Sequence, residues 1–159
     1  MEIDYIFEKA KDLLQKDKRL TPVLFVETEE GVSVIGLIVD LGKVDKREMM
    51  ENLGRDFAIK KQIIQSVSIV SDIYISRVKP GKDKNGPPLE RMERREAILV
   101  AKMYLNKNKN EIIVQHYERS GDNITFSDSY RESEVKDAPL FLLDDFIKEY
   151  RRVFNMDMN

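Results

Sequence analysis

Val67-Ser-Ile-Val-Ser-Asp-Ile-Tyr-Ile-Ser-Arg77 is the stretch that decides the fold of this chain. Its apolar and polar residues alternate with a period of two, which is typical of a β-strand that buries one face. A second run, at residues 97–105, has apolar residues on both faces near its start, as expected for a central strand. The two runs therefore predict neighbouring strands at the centre of a sheet.

Similar patterns predict the other elements around this pair. Apolar residues spaced by three and four predict helices over residues 3–18, 46–61 and 139–154. Alternating runs bounded by turn residues predict strands over residues 23–28, 32–41, 111–118 and 124–127. We therefore expect an α+β fold with a mainly antiparallel sheet of five to six strands and flanking helices, in the order α-β-β-α-β-β-β-β-α.

The length and composition limit the class of protein. The 159 residues fit one domain over residues 1–159, with a long polar loop at 78–95 and a short frayed C-terminal tail at 155–159. The chain has no cysteine and one histidine, which excludes disulfides, thiolate metal sites and multi-histidine sites within one copy. No run is long enough for a membrane span, and the acidic start is unlike a signal peptide, so we expect a cytoplasmic protein.

The segment between the two central strands is the most basic part of the chain. From Arg77 to Arg95 it holds seven Lys and Arg against three Asp and Glu, so its charge is +4 while the whole chain carries −2. The candidate binding residues are the basic side chains in this segment: Lys79, Lys82, Lys84, Arg91, Arg94 and Arg95. They could contact an acidic protein surface or the phosphates of a nucleic acid. The alternative is a solvated loop whose charges serve solubility.

A second candidate site follows from the expected strand pairing. A five-residue turn at 106–110 sets Leu105 opposite Glu111, and a symmetric loop at 78–95 sets Asp72 opposite Lys102. These registers place Asp72, Lys102 and His116 on one partly wetted sheet face, where proton transfer could occur. The opposite face is then the core side, and its predicted members are Ile69, Ile73, Leu99, Ala101, Met103, Ile113 and Tyr117. We favour an ordinary solvated face over a catalytic site, because no pocket can be inferred from the sequence.

These observations favour a binding module over an enzyme. The leading hypothesis is a small cytoplasmic adaptor that self-associates or binds another protein through the loop at 79–95. The alternatives are a nucleic-acid-associated protein using the same loop, or an enzyme centred on Asp72, Lys102 and His116. In the order of its elements the chain is similar to the roadblock, longin and profilin-like group of folds, whose members are often scaffolds or dimerising adaptors. We expect no cofactor, no metal and no membrane partner.

Overall fold

The computed structural model describes residues 1–37, 46–78, 92–107, 109–133 and 141–158 of the chain. Within these residues it contains three α-helices and six β-strands. The helices are α1 (Ile3–Asp17), α2 (Lys46–Ile59) and α3 (Phe141–Met158). The strands are β1 (Val23–Thr28), β2 (Gly31–Gly36), β3 (Ile64–Val78), β4 (Met92–Tyr104), β5 (Lys109–Ser120) and β6 (Asn123–Ser133).

All six strands form one antiparallel sheet in the spatial order β2-β1-β3-β4-β5-β6. The predicted α+β class and element order are therefore confirmed. A tight turn at Glu29 and Glu30 joins β1 to β2, where the hydroxyl of Thr28 accepts a hydrogen bond from the Glu30 amide at 3.2 Å. The two runs from which the fold was predicted, β3 and β4, pair with each other at the centre of the sheet.

Apolar layers cover both faces of this sheet. On one face α1 packs over β3 and β4, and its stripe of Ile6, Phe7 and Leu14 is buried there with Val100 and Tyr117. On the other face α2 and α3 cover a larger cluster of apolar residues. The expectation of a single core face was wrong because it left the apolar stripe of α1 without a surface to cover. Ile113 and Tyr117 accordingly lie under α1, not with Leu99 and Ala101.

Helices α2 and α3 pack closely against each other as well as against the sheet. Phe57 and Phe146 contact each other at the centre of this pair, with their ring centroids 5.9 Å apart. Arg55 of α2 donates a hydrogen bond of 2.8 Å to Glu149 of α3. Tyr150 connects the layer to β3, since its hydroxyl donates to the carbonyl of Gln62 at 2.7 Å and accepts from the amide of Ile64 at 3.2 Å.

Several elements extend beyond their predicted ends. Val78 and Met92–Arg95 belong to strands, so the polar loop predicted at 78–95 is shortened at both sides. β6 continues to Ser133, because its polar residues pair with β5 as far as Glu111 opposite Ser133. The frayed tail predicted at 155–159 begins inside α3, which ends at Met158. Cross-strand and helical hydrogen bonds thus order polar segments that composition alone marks as loops.

Candidate functional site

The two central strands extend past their neighbours at one end of the sheet. β1 pairs with β3 only as far as Val23 opposite Val70, and β5 pairs with β4 only as far as Tyr117 opposite Glu96. Beyond these points β3 and β4 continue to pair with each other until Val78 lies opposite Met92. In the described part of the chain no other strand pairs with residues 75–78 or 92–95. We call this two-stranded extension, Ile75–Val78 with Met92–Arg95, the ribbon.

Charged and polar contacts fix the base of the ribbon to β5 and β6. The guanidinium of Arg95 donates a hydrogen bond of 3.1 Å to the hydroxyl of Ser127. One residue on, Glu96 pairs with Arg119 at 3.0 Å. Tyr74 lies opposite Glu96 in the register, and its side chain is 64% exposed. The ribbon therefore starts from a well-connected base with an exposed aromatic ring beside it.

The predicted binding residues fall into two groups. Lys79, Lys82, Lys84 and Arg91 lie outside the described residues. Arg94 and Arg95 belong to β4 within the ribbon, opposite Ser76 and Ile75. Because the ribbon leads directly into residues 79–91, its two strands connect the sheet to the basic segment. The assignment of these six residues to binding stays a prediction.

The predicted catalytic face is not formed. β5 begins at Lys109, so Lys102 lies opposite Glu111 and His116 lies opposite Ala97. This register differs from the predicted one by three residues, and an odd shift moves every side chain of a strand to the other face. By alternation His116 belongs to the face of α2 and α3, whereas Lys102 belongs to the face of α1. The three residues therefore share no site.

The register predicted between β3 and β4 was also wrong. Asp72 lies opposite Ile98, and Lys102 lies opposite Ser68, four residues away from the predicted partner. An even shift keeps both residues on the α1 face but separates them along it. The long connection between the strands left this register undetermined, because a long loop does not fix strand pairing as a two-residue turn does.

Lys102 instead lies in a polar cluster beneath the start of α1. The residue is 2% exposed, and its ammonium lies 3.1 Å from a carboxylate oxygen of Glu27. It also contacts the backbone carbonyl of Met1 and lies 4.8 Å from the ring centre of Tyr104. The hydroxyl of Ser66 donates to Glu27, which completes the connection across β1, β3 and β4. These contacts compensate a buried positive charge.

Burial and charge together shift the proton affinities in this cluster. Loss of hydration lowers the pKa of Lys102, although the nearby carboxylates of Glu2 and Glu111 act in the opposite direction. Burial, followed by the charge of Glu111, raises the pKa of Tyr104 to about 12. The Tyr104 hydroxyl donates to Glu111 at 3.2 Å, so it stays protonated at neutral pH. The cluster is enclosed by its own chain, which fits a structural ion pair better than a substrate site.

Sequence reasoning missed Glu27 and Ser66 as the partners of Lys102. The signal for Glu27 was available, because Val23, Phe25 and Glu27 alternate on one face of β1. A carboxylate at the end of such an apolar face needs a cation nearby. What the pattern could not supply was the pairing of Glu27 with Ser66 on β3.

An apolar cavity of about 230 Å³ lies between α2, α3 and the sheet. Most of its walls come from apolar residues, including Met49, Ile69 and Leu142, and Lys46 and Ser71 also line it. Small-molecule sites commonly measure about 300–1,000 Å³. This cavity is below that range, and no cluster of catalytic groups converges on it in the described residues. It offers little support for the enzyme hypothesis.

The described residues contain neither a candidate metal site nor a membrane-spanning helix. No group of three or more His, Cys, Asp or Glu side chains in that part of the chain could hold a metal ion. None of the described helices is long and apolar enough to cross a membrane.

Comparison with known proteins yields no relative that could assign a function. No protein-family model matches the sequence, and neither the curated proteins nor the solved structures provide a match. The resemblance to the roadblock, longin and profilin-like group therefore remains a similarity in the order of elements.

Proposed function

We propose that this chain is a cytoplasmic, non-catalytic binding module that contacts an acidic protein surface through the basic segment at residues 79–95. The main structural support for this proposal is the ribbon. Its two strands extend past β1 and β5 and lead into the basic segment. The two strands thus join the sheet to the basic residues that would contact the partner.

The charge distribution favours an acidic protein over a nucleic acid. The segment from Arg77 to Arg95 carries +4 and the whole chain −2, which leaves −6 on the remainder. A nucleic acid presents a continuous line of phosphates, which the acidic remainder would repel. A local acidic patch on a protein needs to meet only the basic segment. Affinity for such a patch should weaken as salt screens the charges.

The test compares two anionic probes with the same set of variants. A fluorescent poly-glutamate peptide and a short DNA duplex are titrated with the full chain at low and moderate salt. The segment variant replaces Lys79, Lys82 and Lys84 of the basic segment with Glu. The control variant replaces the exposed residues Lys16, Lys60 and Lys107 with Glu, which changes the net charge equally.

The expected result is salt-dependent binding of the peptide that the segment variant loses and the control variant keeps. Tighter binding of the duplex, lost in the same variant, would replace the proposal with the nucleic-acid alternative. Equal losses in both variants would mean that net charge alone determines binding, and would overturn the proposal. So would a failure of both probes to bind at low salt.

A further inference from the structure

The two edges of the sheet differ sharply in how they are protected. β6 carries the charged residues Asp128 and Arg131, and its pairing with β5 shifts register between Gln115 and Tyr117. Charges and register irregularities are the usual protection of an exposed edge. β2, at the other edge, reads Gly-Val-Ser-Val-Ile-Gly and contains neither charge nor proline. Its pairing with β1 is regular along its whole length.

The pairing with β1 determines which backbone groups of β2 point away from the sheet. The amide of Leu37 donates to the carbonyl of Pro22 at 2.8 Å, so residue 37 bonds inward. In an antiparallel ladder the inward-bonding residues alternate along the strand. Val32, Val34 and Gly36 therefore direct their N–H and C=O groups outward. No described segment pairs with this side of β2.

The side chains of the same residues add an apolar surface. Val32 is 45% exposed and Val34 is 64% exposed, on the sheet face that α1 covers further in. Phe25 lies opposite Val34 on β1 and is half-buried, so the apolar surface continues inward from the edge. Outward backbone groups beside exposed β-branched side chains form a template for an added strand.

The strand is complementary to itself. When two copies pair antiparallel about Val34, Val32 lies opposite the partner's Gly36 and Ser33 opposite the partner's Ile35. Val32, Val34 and Gly36 then face residues of the partner whose backbone groups also point outward, so the outward N–H and C=O groups of both strands pair with each other. Glu29 and Glu30, at the turn before β2, lie at opposite ends of the joined pair, so like charges do not meet. A self-complementary patch of this kind is what a two-fold dimer requires.

We propose that two copies of this chain pair through β2, with Val34 opposite the partner's Val34, to form one continuous sheet. The strand added to this edge comes from a second copy, because β2 of one copy can pair all its outward backbone groups with β2 of the other, and this contact contains no charged residue. This contact is separate from the ribbon, which lies at one end of β3 and β4, and so it does not depend on the proposed function.

Because the chain has no cysteine, a single introduced thiol tests this register directly. In the proposed dimer, Val34 and the partner's Val34 form a hydrogen-bonded antiparallel pair. The Cα atoms of such residues lie about 5.5 Å apart, which is within the usual range for a disulfide. Val34→Cys should form a disulfide-linked dimer on mild oxidation, visible on a non-reducing gel. Ser129→Cys is the matched control, since it is an exposed position on the opposite edge, and it should show no disulfide-linked dimer on the same gel.

A second variant tests the association without a cross-link. Val34→Lys places two positive charges opposite each other and should raise the dimer dissociation constant at least about tenfold, because the like charges repel. Sedimentation at about 1 to 100 μM covers the range in which such an interface assembles. Circular dichroism checks that Val34→Lys is folded. We expect the fold to be retained because Val34 is exposed. A wild-type monomer throughout this range, or a dimer that Val34→Lys leaves unchanged, would overturn the proposal.

The same measurements separate this proposal from the proposed function of the basic segment. The variant with Glu at Lys79, Lys82 and Lys84 should dimerise like the wild type, and Val34→Lys should still bind the acidic peptide. Loss of dimerisation in the Lys79, Lys82 and Lys84 variant would move the self-contact to the basic segment and overturn the β2 proposal.

Discussion

Gly54 of α2 lies directly against the backbone of Phe146 in α3. A Cβ atom at Gly54 would overlap the carbonyl oxygen of Phe146 and lie 3.2 Å from the amide nitrogen of Tyr150. Alanine normally favours a helix over glycine by about 1 kcal/mol. Here the added methyl must push the two helices apart, so we expect Gly54→Ala to lower the free energy of unfolding by about 1–3 kcal/mol.

Urea denaturation of the purified variant measures this effect. Ile59→Ala is the control, since it is a substitution in the same helix at a side chain that is 58% exposed, and should change stability by less than about 0.5 kcal/mol. A Gly54→Ala variant as stable as the wild type would show that α2 and α3 can separate without loss of packing.

The ion pair of Lys102 and Glu27 should be strongly coupled. Glu27→Gln leaves the buried ammonium without its nearest carboxylate, and we expect a loss of about 2–3 kcal/mol in the free energy of unfolding. Lys102→Met removes the charge itself. In the double variant the loss should be clearly smaller than the sum of the two single losses, because the buried Lys102 ammonium that Glu27→Gln leaves uncompensated is gone. The N-terminal ammonium of Met1, which also pairs with Glu27, loses that partner in the single and in the double variant alike. Strictly additive losses would mean that the pair contributes no interaction energy.

Glu149 should make stability sensitive to acid. Hydrogen bonds from Arg152 and Arg55 lower the pKa of its carboxyl group to about 2, against an ordinary value of 4.5. A carboxyl group with a lowered pKa in the folded state stabilises the fold above its unfolded value, and that contribution disappears as the pH falls from about 4.5 towards 2. Glu149→Gln should therefore destabilise the chain at pH 7 by about 1 kcal/mol, since both arginines are partly exposed.

Thermal unfolding of the wild type and of Glu149→Gln between pH 7 and pH 2.5 tests the linkage. The difference in midpoint should be largest at neutral pH and should shrink below pH 4.5. A difference that stays constant over this range would show that the two arginines stabilise neutral and charged forms equally.

His116→Ala is expected to leave the fold intact. The side chain is half-buried, and the pairing of its backbone with Ala97 does not depend on the imidazole. We expect a change within about 1 kcal/mol, measured by urea denaturation. Val114→Ala, two residues away on the same face and 2% exposed, should cost about 2 kcal/mol and serves as the comparison. A larger loss at His116 than at Val114 would identify the histidine as a core residue.

The elements of the fold could be predicted from the sequence because each carries its own local pattern. The alternation around Ile69 and Ile73 predicts β3, and the stripe of Ile6, Ala10 and Leu14 predicts α1. The α+β class and the order of elements follow from such patterns. The polar strand β6 could not be recognised beyond Ser127, because its order comes from hydrogen bonds to β5, not from its own residues.

The candidate sites were harder to predict because they depend on register. Treating all of Asn106–Asn110 as a turn, when β5 begins at Lys109, was enough to move His116 to the wrong face. The partners of Lys102 come from β1 and β3, far from it in sequence. The open edge at β2 needed the order of strands, which puts β1 between β2 and β3. Local patterns contain none of this information.

The two apolar layers are completed at different stages of synthesis. The layer beneath α1 uses residues up to Phe126, whereas the layer beneath α2 needs Leu143, Phe146, Ile147 and Tyr150 of α3. Because a chain emerges from the ribosome starting at its N-terminus, the cluster that contains Leu99 and Val114 lacks the cover of α3 until that helix has been synthesised. We therefore expect a nascent chain that stalls before α3 to expose part of this apolar sheet face and to aggregate more readily than the full chain.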